Sequence, residues 1–407
     1  MAPFIPAPVF PPEITDSIIH ELGAELPALR ICSQVCRAWL PASRHILHQT
    51  LKLRGEDILG FMDIIASPEN TYFATLRGLE LSLCDNGPAT VLLELLPKFV
   101  CLKSIGIYSS VFHYELPTLS SVTSLEFKRT EFRSFAAFII LLGQTPNLKS
   151  LKLTKVLWGP LPGWGPPATE DILPSKSIPR LELDVLHIED RAFLDWFTSE
   201  VPAPLTSVLE LFIREDNHQV PWGQASNIVD TKLLDKVSQY LQYLGVHLEQ
   251  FYLRFSGSTQ IQTLDVSTNT ALRSLRINLS NAIPARNWTQ YFSTTLPSLL
   301  ERLRSDDIEE LAVDINMILN DKNMNDKNID LKRLSSILTS PRFARLRRLQ
   351  FNGQWDGYAP RGRKSARKIF TDTVIDRLAI PSSCSIFLAD PLKNEKHGSR
   401  VHHKLTR

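Results

Sequence analysis

The chain has 407 residues, 43% of them apolar and 22% charged, with a formal net charge of +2. Such a near-neutral balance is no electrostatic match for nucleic acid or an anionic membrane. The longest apolar run, Phe135 to Leu142, is far short of the ~20 residues a membrane helix needs, so no membrane span is expected. The five cysteines (Cys32, Cys36, Cys84, Cys101 and Cys384) are odd in number and scattered, which predicts a reducing cytoplasmic or nuclear setting and no metal centre.

Residues 1–9 are apolar and Pro-rich but lack the basic start of a signal peptide, and are expected to be a flexible lead-in. Pro11-Pro12 and Glu13 favour the start of a helix, along which Ile14, Ile18, Ile19 and Leu22 recur at helical spacing until Gly23 ends it. A second short helix is predicted around Pro27 to Val35, carrying Leu29 and Cys32. A third runs from about Arg37 through Trp39 toward Leu47. So small a unit has too little core to stand alone, and a neighbour or partner must cover part of its apolar surface. Leu51-Lys-Leu53 then reads as a strand, and Glu56 to Ala66 as an amphipathic helix with Ile58, Leu59, Met62 and Ile65 inward.

From here a Leu-x-x-Leu-x-Leu spelling recurs, clearest at Leu148/Leu151/Leu153. It returns at Leu76/Leu79/Leu81, Leu102/Ile105/Ile107, Val122/Leu125/Phe127, Ile178/Leu181/Leu183, Val208/Leu211/Ile213, Leu248/Phe251/Leu253, Leu272/Leu275/Ile277, Ile308/Leu311/Val313 and Leu346/Leu349/Phe351. In a strand the last two apolar residues of each copy point inward and the residue between them points out. One such turn cannot bury its apolar face, whereas stacked turns can. Helix-compatible runs separate the copies: Ala89 to Phe99, Phe132 to Leu142, Ala192 to Thr198, Asn227 to Leu244 and Asn287 to Leu303. The fold class predicted is α/β: a helical head over residues 10–50, then a leucine-rich-repeat-like solenoid of parallel strands over residues 51–390. An ordinary α/β domain is the competing reading.

Three insertions are expected to bulge outward: the turn-rich Trp158 to Pro167, Glu215 to Asp230 with Trp222, and the Asn-rich Asn320 to Asn328. The last lacks the Gly and terminal Glu of a calcium loop. Lys364 to Ala379 is predicted as a closing helix and Ser385 to Leu388 as a closing strand, followed by a basic, disordered tail over residues 391–407.

The head is similar to the F-box motif. Phe10-Pro-Pro-Glu-Ile14, Ile18-Ile19, Leu22, Leu29, Cys32 and Val35-Cys-Arg-Ala-Trp39 resemble its Leu-Pro-x-Glu-Ile start, its apolar pair and its closing Val-Cys-Arg-x-Trp. Phe10 stands where the motif has Leu. The resemblance implies binding to a Skp-type adaptor of a cullin-based SCF ubiquitin ligase, with Phe10, Pro11, Ile14, Ile18 and Leu29 facing the adaptor and Trp39 packing the third helix. Alternatively, these apolar residues only cap the repeat array, leaving a protein–protein scaffold outside any ligase.

No nucleophile motif, zinc cluster or nucleotide loop is evident, so neither catalysis nor a cofactor is expected. The segment Pro341 to Arg407 is strongly basic, but no aromatic platform interleaves its charges, and nucleic acid is not the expected partner. The outward positions of the strands offer the substrate surface instead. Phe212 and Tyr252 are large aromatics at positions that should face water, each followed two residues on by an arginine, Arg214 and Arg254, with Arg276 on the next strand. Aromatic and Arg side chains carry much of the binding energy in protein interfaces. An Arg cluster suits a carboxylate or a phosphate, which predicts an acidic or phosphorylated peptide on Phe212, Arg214, Tyr252, Arg254 and Arg276. The competing reading is that Pro221-Trp222 folds back over the aromatics and makes them local core.

Overall fold

The computed structural model describes residues 11–22, 25–35, 39–68, 70–82, 88–112, 116–132, 134–158, 181–189, 203–213, 231–255, 264–278, 291–315, 330–353, 366–389 and 402–405. The chain divides into two compact units, Met1–Leu148 with Lys155–Ser175, and Lys149–Thr154 with Lys176–Arg407. Among the described residues no helix is long and apolar enough to cross a membrane.

The first unit opens with α1 (Pro12–Glu21), α2 (Leu26–Val35) and α3 (Leu40–Leu47). Proline lies in the first turn of α1 and α3, where its missing N–H costs nothing. Thr15 and Ile19 of α1, Leu29 and Cys32 of α2 and Ser43 of α3 are all buried. The expected inward stripe of α1 is therefore corrected: Ile19 is buried, but Ile14 and Ile18 are each 47% exposed. Residue 15 shares a helical face with residue 19, and the pair 14/18 lies about 100° away.

Next come β1 (Thr50–Arg54), α4 (Asp57–Ala66), α5 (Tyr72–Thr75), β2 (Gly78–Ser82), α6 (Pro88–Leu95), β3 (Ser104–Tyr108), β4 (Val111–Phe112), β5 (Ser124–Lys128), β6 (Glu131–Phe132) and α7 (Phe135–Gly143). Then follow β7 (Ser150–Thr154), counted with the second unit, and β8 (Leu157–Trp158), counted with the first. Strands β1, β2, β3 and β5 pair in parallel in that order, so that Leu53, Leu81, Ile107 and Phe127 form one column. Phe127 packs edge-on against Phe138 of α7, with ring centroids 6.3 Å apart, which fixes helix to sheet through aromatic contact. On α4 the inward residues are Ile58, Phe61 and Ile65, while Leu59 points to solvent, against expectation. Phe61 takes that place because it meets both Tyr72 and Phe99.

Three residues with left-handed backbone, Ser109, Arg129 and Lys155 (φ 50, 53 and 52), directly follow β3, β5 and β7. Each turns the chain into a short strand, and β4, β6 and β8 pair in parallel as a second small sheet. Thr130 Oγ1 donates to the Ile107 carbonyl at 3.1 Å beneath that turn. The Leu-x-x-Leu-x-Leu spelling gives no sign of this second sheet.

The second unit continues with β9 (Glu182–Glu189), β10 (Leu205–Ile213), α8 (Thr231–Leu244), β11 (Gln250–Phe255) and β12 (Ser274–Asn278). A π turn at Tyr291–Thr295 leads into α9 (Leu296–Arg302), followed by β13 (Glu310–Ile315), α10 (Lys332–Leu338), β14 (Arg348–Gly353), α11 (Ala366–Thr373), β15 (Ser385–Ala389) and β16 (His402–Leu405). Strands β7 and β9 to β15 pair in parallel, each with the next, and β16 is antiparallel to β15. Residues 402–405 are thus a strand where a disordered tail was expected. Phe351 of β14 packs against Phe292 and against Phe370 of α11, and Tyr240 of α8 donates to the Pro204 carbonyl at 2.7 Å.

The register predicted for β9 and β10 is corrected. Leu186 and Ile188, not Leu181 and Leu183, pair with Leu151 and Leu153; Leu209 and Leu211, not Leu211 and Ile213, pair with Phe251 and Leu253. Leu183-Asp-Val-Leu186-His-Ile188 carries the same spelling as the predicted triplet. In so apolar a stretch only pairing with the neighbouring strands selects the register. The predicted helix Ala192 to Thr198 and the three insertions, apart from Trp158 at the start of the first, lie outside the described residues.

Candidate functional site

The outward residues of the second unit form two rows that follow from strand register. One row runs Lys152, His187, Glu210, Tyr252, Arg276, Ala312, Gln350 and Phe387 across β7 to β15. Two residues further along the strands, Phe212, Arg254, Asn278, Asp314 and Asn352 lie side by side.

Phe212 and Tyr252 meet edge to face at 4.8 Å between centroids, and His187 tilts against the other side of Phe212 at 4.7 Å. The Arg276 guanidinium lies over the Tyr252 ring, 4.2 Å from its centroid. Opposite Arg276 on β13 is Ala312, whose small side chain leaves the diagonal open. Arg276 reaches across it to Asp314 with Nε–Oδ1 3.1 Å and Nη2–Oδ2 2.9 Å, a bidentate pair. Asp314 also accepts from the Tyr252 hydroxyl at 3.1 Å and from Asn352 Nδ2, and Asn278 Nδ2 donates to the Tyr252 oxygen at 3.4 Å. Burial, with the Asp314 carboxylate beside it, pushes the Tyr252 phenol up to about 12. Asp314 is thus an outward residue only 8% exposed, roofed by its own donors.

At the β9 end, His187 Nδ1 is 2.7 Å from Glu210 Oε2. The hydrogen bond from His187 holds the Glu210 carboxyl below its ordinary range, against partial burial and with help from Lys152 and Arg276. A carboxylate only accepts, so Nδ1 carries the proton, while Nε2 is buried without a partner. At the β14 end, Arg348 donates to Gln350 at 2.6 Å and stacks over Phe387 at 4.9 Å. Among the described residues no three His, Cys, Asp or Glu side chains gather as metal ligands.

Of the residues expected to bind substrate, Phe212 and Tyr252 come together as a ring pair and Arg254 is exposed next to them. Arg276 is corrected: its charge is matched by Asp314, so it is no open anion receptor. Arg214 lies outside the described residues. His187 and Glu210 were missed because the register predicted for β9 and β10 put other residues in the outward row. Strand parity from Leu311 and Val313 puts Asp314 outward, but its pairing with Arg276 has no local signal.

On the helical head, Pro11, Ile14 and Ile18 are exposed, as is the pair Ile31 and Val35 on α2. Leu29 is corrected: at 0% exposure it closes the head's own core and cannot face an adaptor. Phe10 lies outside the described residues, and Trp39, just before α3, is half-buried. Compared with known families and curated proteins, the chain matches no family model and no curated sequence.

Proposed function

We propose that the chain is the substrate-recognition subunit of an SCF-type E3 ubiquitin ligase, working in the cytoplasm or nucleus. In this reading the F-box-like head binds a Skp-type adaptor, and the parallel-strand array is a leucine-rich-repeat-like solenoid that holds the substrate protein. The observation that carries the reading is the pair of uncovered apolar ridges on the head: Ile14 and Ile18 one turn apart on α1, Ile31 and Val35 one turn apart on α2, with Ile19 and Leu29 fully buried behind them. Fully burying such a side chain contributes about 1.5–3 kcal/mol, and these four, each about half exposed, would gain roughly half of that beneath a partner. The chain then catalyses nothing itself and raises the effective concentration of substrate at the ligase.

Purified Skp-type adaptor should co-elute with the full-length protein, and Ile14→Asp with Ile18→Asp should abolish the complex while leaving the melting temperature in place. A normal complex from that double variant would reject the face. The second reading, a scaffold outside any ligase, draws on the outward rows of β9 to β14, which need no contribution from the head. It predicts a stable protein with no adaptor bound.

A further inference from the structure

Cations on and beside the outward rows are mostly committed. Arg276 is held by Asp314 and by the Tyr252 ring. Lys152 lies near enough to Glu210 to act on its carboxyl. Arg348 is engaged with Gln350, Phe387 and Glu310. Arg254 differs. It is exposed, forms no ion pair among the described residues, and has Phe212 and Asn278 as its cross-strand neighbours and Tyr252 two residues back on its own strand.

We propose that Arg254, with the Phe212–Tyr252 ring pair beside it, is the receptor for one aspartate or glutamate side chain of an extended substrate peptide lying across β10, β11 and β12. The proposal rests on the substrate-face reading above and narrows it. A guanidinium binds a carboxylate through two parallel N–H donors, and among the described residues no group takes the Arg254 donors. The ring pair supplies the apolar floor for the residue flanking the acid, because Phe212 is half-buried and, among the described residues, is met by His187 on one side and by Tyr252 at an edge. In an extended peptide alternate side chains point to one face, so the acid and a residue two positions away reach Arg254 and Phe212 together.

Charge count selects carboxylate over phosphate. A phosphorylated side chain carries about −1.5 to −2 at neutral pH and is bound by clusters of arginines. The second cation expected here, Arg276, is already neutralised by a bidentate carboxylate. One open positive charge matches one carboxylate.

The test uses the full-length protein against a displayed library of random peptides, with wild type, Arg254→Ala and Arg254→Glu selected in parallel. Wild type should enrich peptides with a single Asp or Glu spaced by one residue from an aromatic or aliphatic side chain. Arg254→Glu should lose that consensus and enrich Lys or Arg in its place. For the best synthetic peptide, Asp→Asn should weaken binding to wild type about tenfold, the low end for a charge-assisted bond at an exposed site, and leave binding to Arg254→Ala unchanged. Absence of enrichment, an acid-free wild-type consensus or the same consensus from Arg254→Glu would overturn the proposal. So would a phosphoserine peptide binding more than about tenfold tighter than its aspartate parent, because that gain requires a second open cation. Adaptor co-elution by Arg254→Glu stays normal if the ligase reading holds. If wild type binds no adaptor, the ligase reading fails and the peptide selection still decides the site.

Discussion

Removing Asp314 should break more than one contact. The Asp314→Ala variant leaves the Arg276 guanidinium without its bidentate partner and strips an acceptor from the Tyr252 hydroxyl and from Asn352 Nδ2. Breaking a fully buried ion pair from one side costs roughly 3–5 kcal/mol. The Arg276 side chain is 40% exposed, so water recovers part of its solvation and the ionic share falls toward ~1 kcal/mol. Two buried or half-buried donors left without an acceptor add about 1–2 kcal/mol. The expected loss is therefore ~2–3 kcal/mol. Arg276→Ala should cost less, ~1 kcal/mol, because Asp314 keeps its bonds from Tyr252 and Asn352. The double variant should fall short of the sum, with a coupling of about 1 kcal/mol in a double-mutant cycle. Urea unfolding of the four proteins, followed by hydrogen exchange at β11 to β14, measures this. A coupling under about 0.3 kcal/mol, or an Asp314→Ala cost no larger than the ~0.5 kcal/mol of an ordinary surface change, would refute the network.

Asn269 is wholly buried and bridges the Leu241 and Gly245 carbonyls with its Nδ2, at 2.9 and 3.1 Å; Asn269→Ala should cost about 2 kcal/mol and lower the melting temperature accordingly. At Arg129 (φ 53) the usual ranking inverts: Arg129→Gly should be neutral or stabilising in thermal melts, whereas the β-branched Arg129→Val should destabilise by about 1–2 kcal/mol. Glu210 has a carboxyl held below its ordinary value in the folded state, so it contributes stability above the unfolded carboxylate range and loses it as pH falls through the folded value. Melting temperature measured downward from about pH 6 should drop more steeply for wild type than for Glu210→Gln once pH passes below about 4.3, and parallel curves would reject that role.

Much of this fold can be read from the chain because its signals are local. The order of helices in the head follows from Pro11-Pro12, Gly23 and Pro41, and strands β2, β3, β5, β7 and β11 to β14 fall where a Leu-x-x-Leu-x-Leu triplet puts them. The failures are of two physical kinds. Face assignment failed where spacing alone was used: Ile14, Ile18 and Leu59 recur at helical intervals, yet Thr15 and Phe61 hold the inward places, since a methyl-bearing threonine fits the small core of the head and a phenyl ring fills the gap beside Tyr72. Register failed at β9 and β10, where overlapping triplets compete and only Leu151 and Leu153 on one side and Phe251 and Leu253 on the other decide between them.

For the proposed substrate face, composition was legible and electrostatic state was not. Phe212, Tyr252, Arg276 and Asp314 can all be named as outward residues from strand parity, but parity says nothing about what crosses the strands. Whether Arg276 is an open cation depends on Asp314, 38 residues away, and on Ala312 being small enough to leave the diagonal clear. Whether Tyr252 presents a hydroxyl or only a ring depends on that same aspartate, 62 residues away, which accepts the hydroxyl's hydrogen bond. Each pairing subtracts a group from those a ligand can use. After the subtractions the described residues of these rows offer two aromatic rings and the exposed Arg254 guanidinium, so specificity at the proposed site would come from their spacing and not from a general positive field.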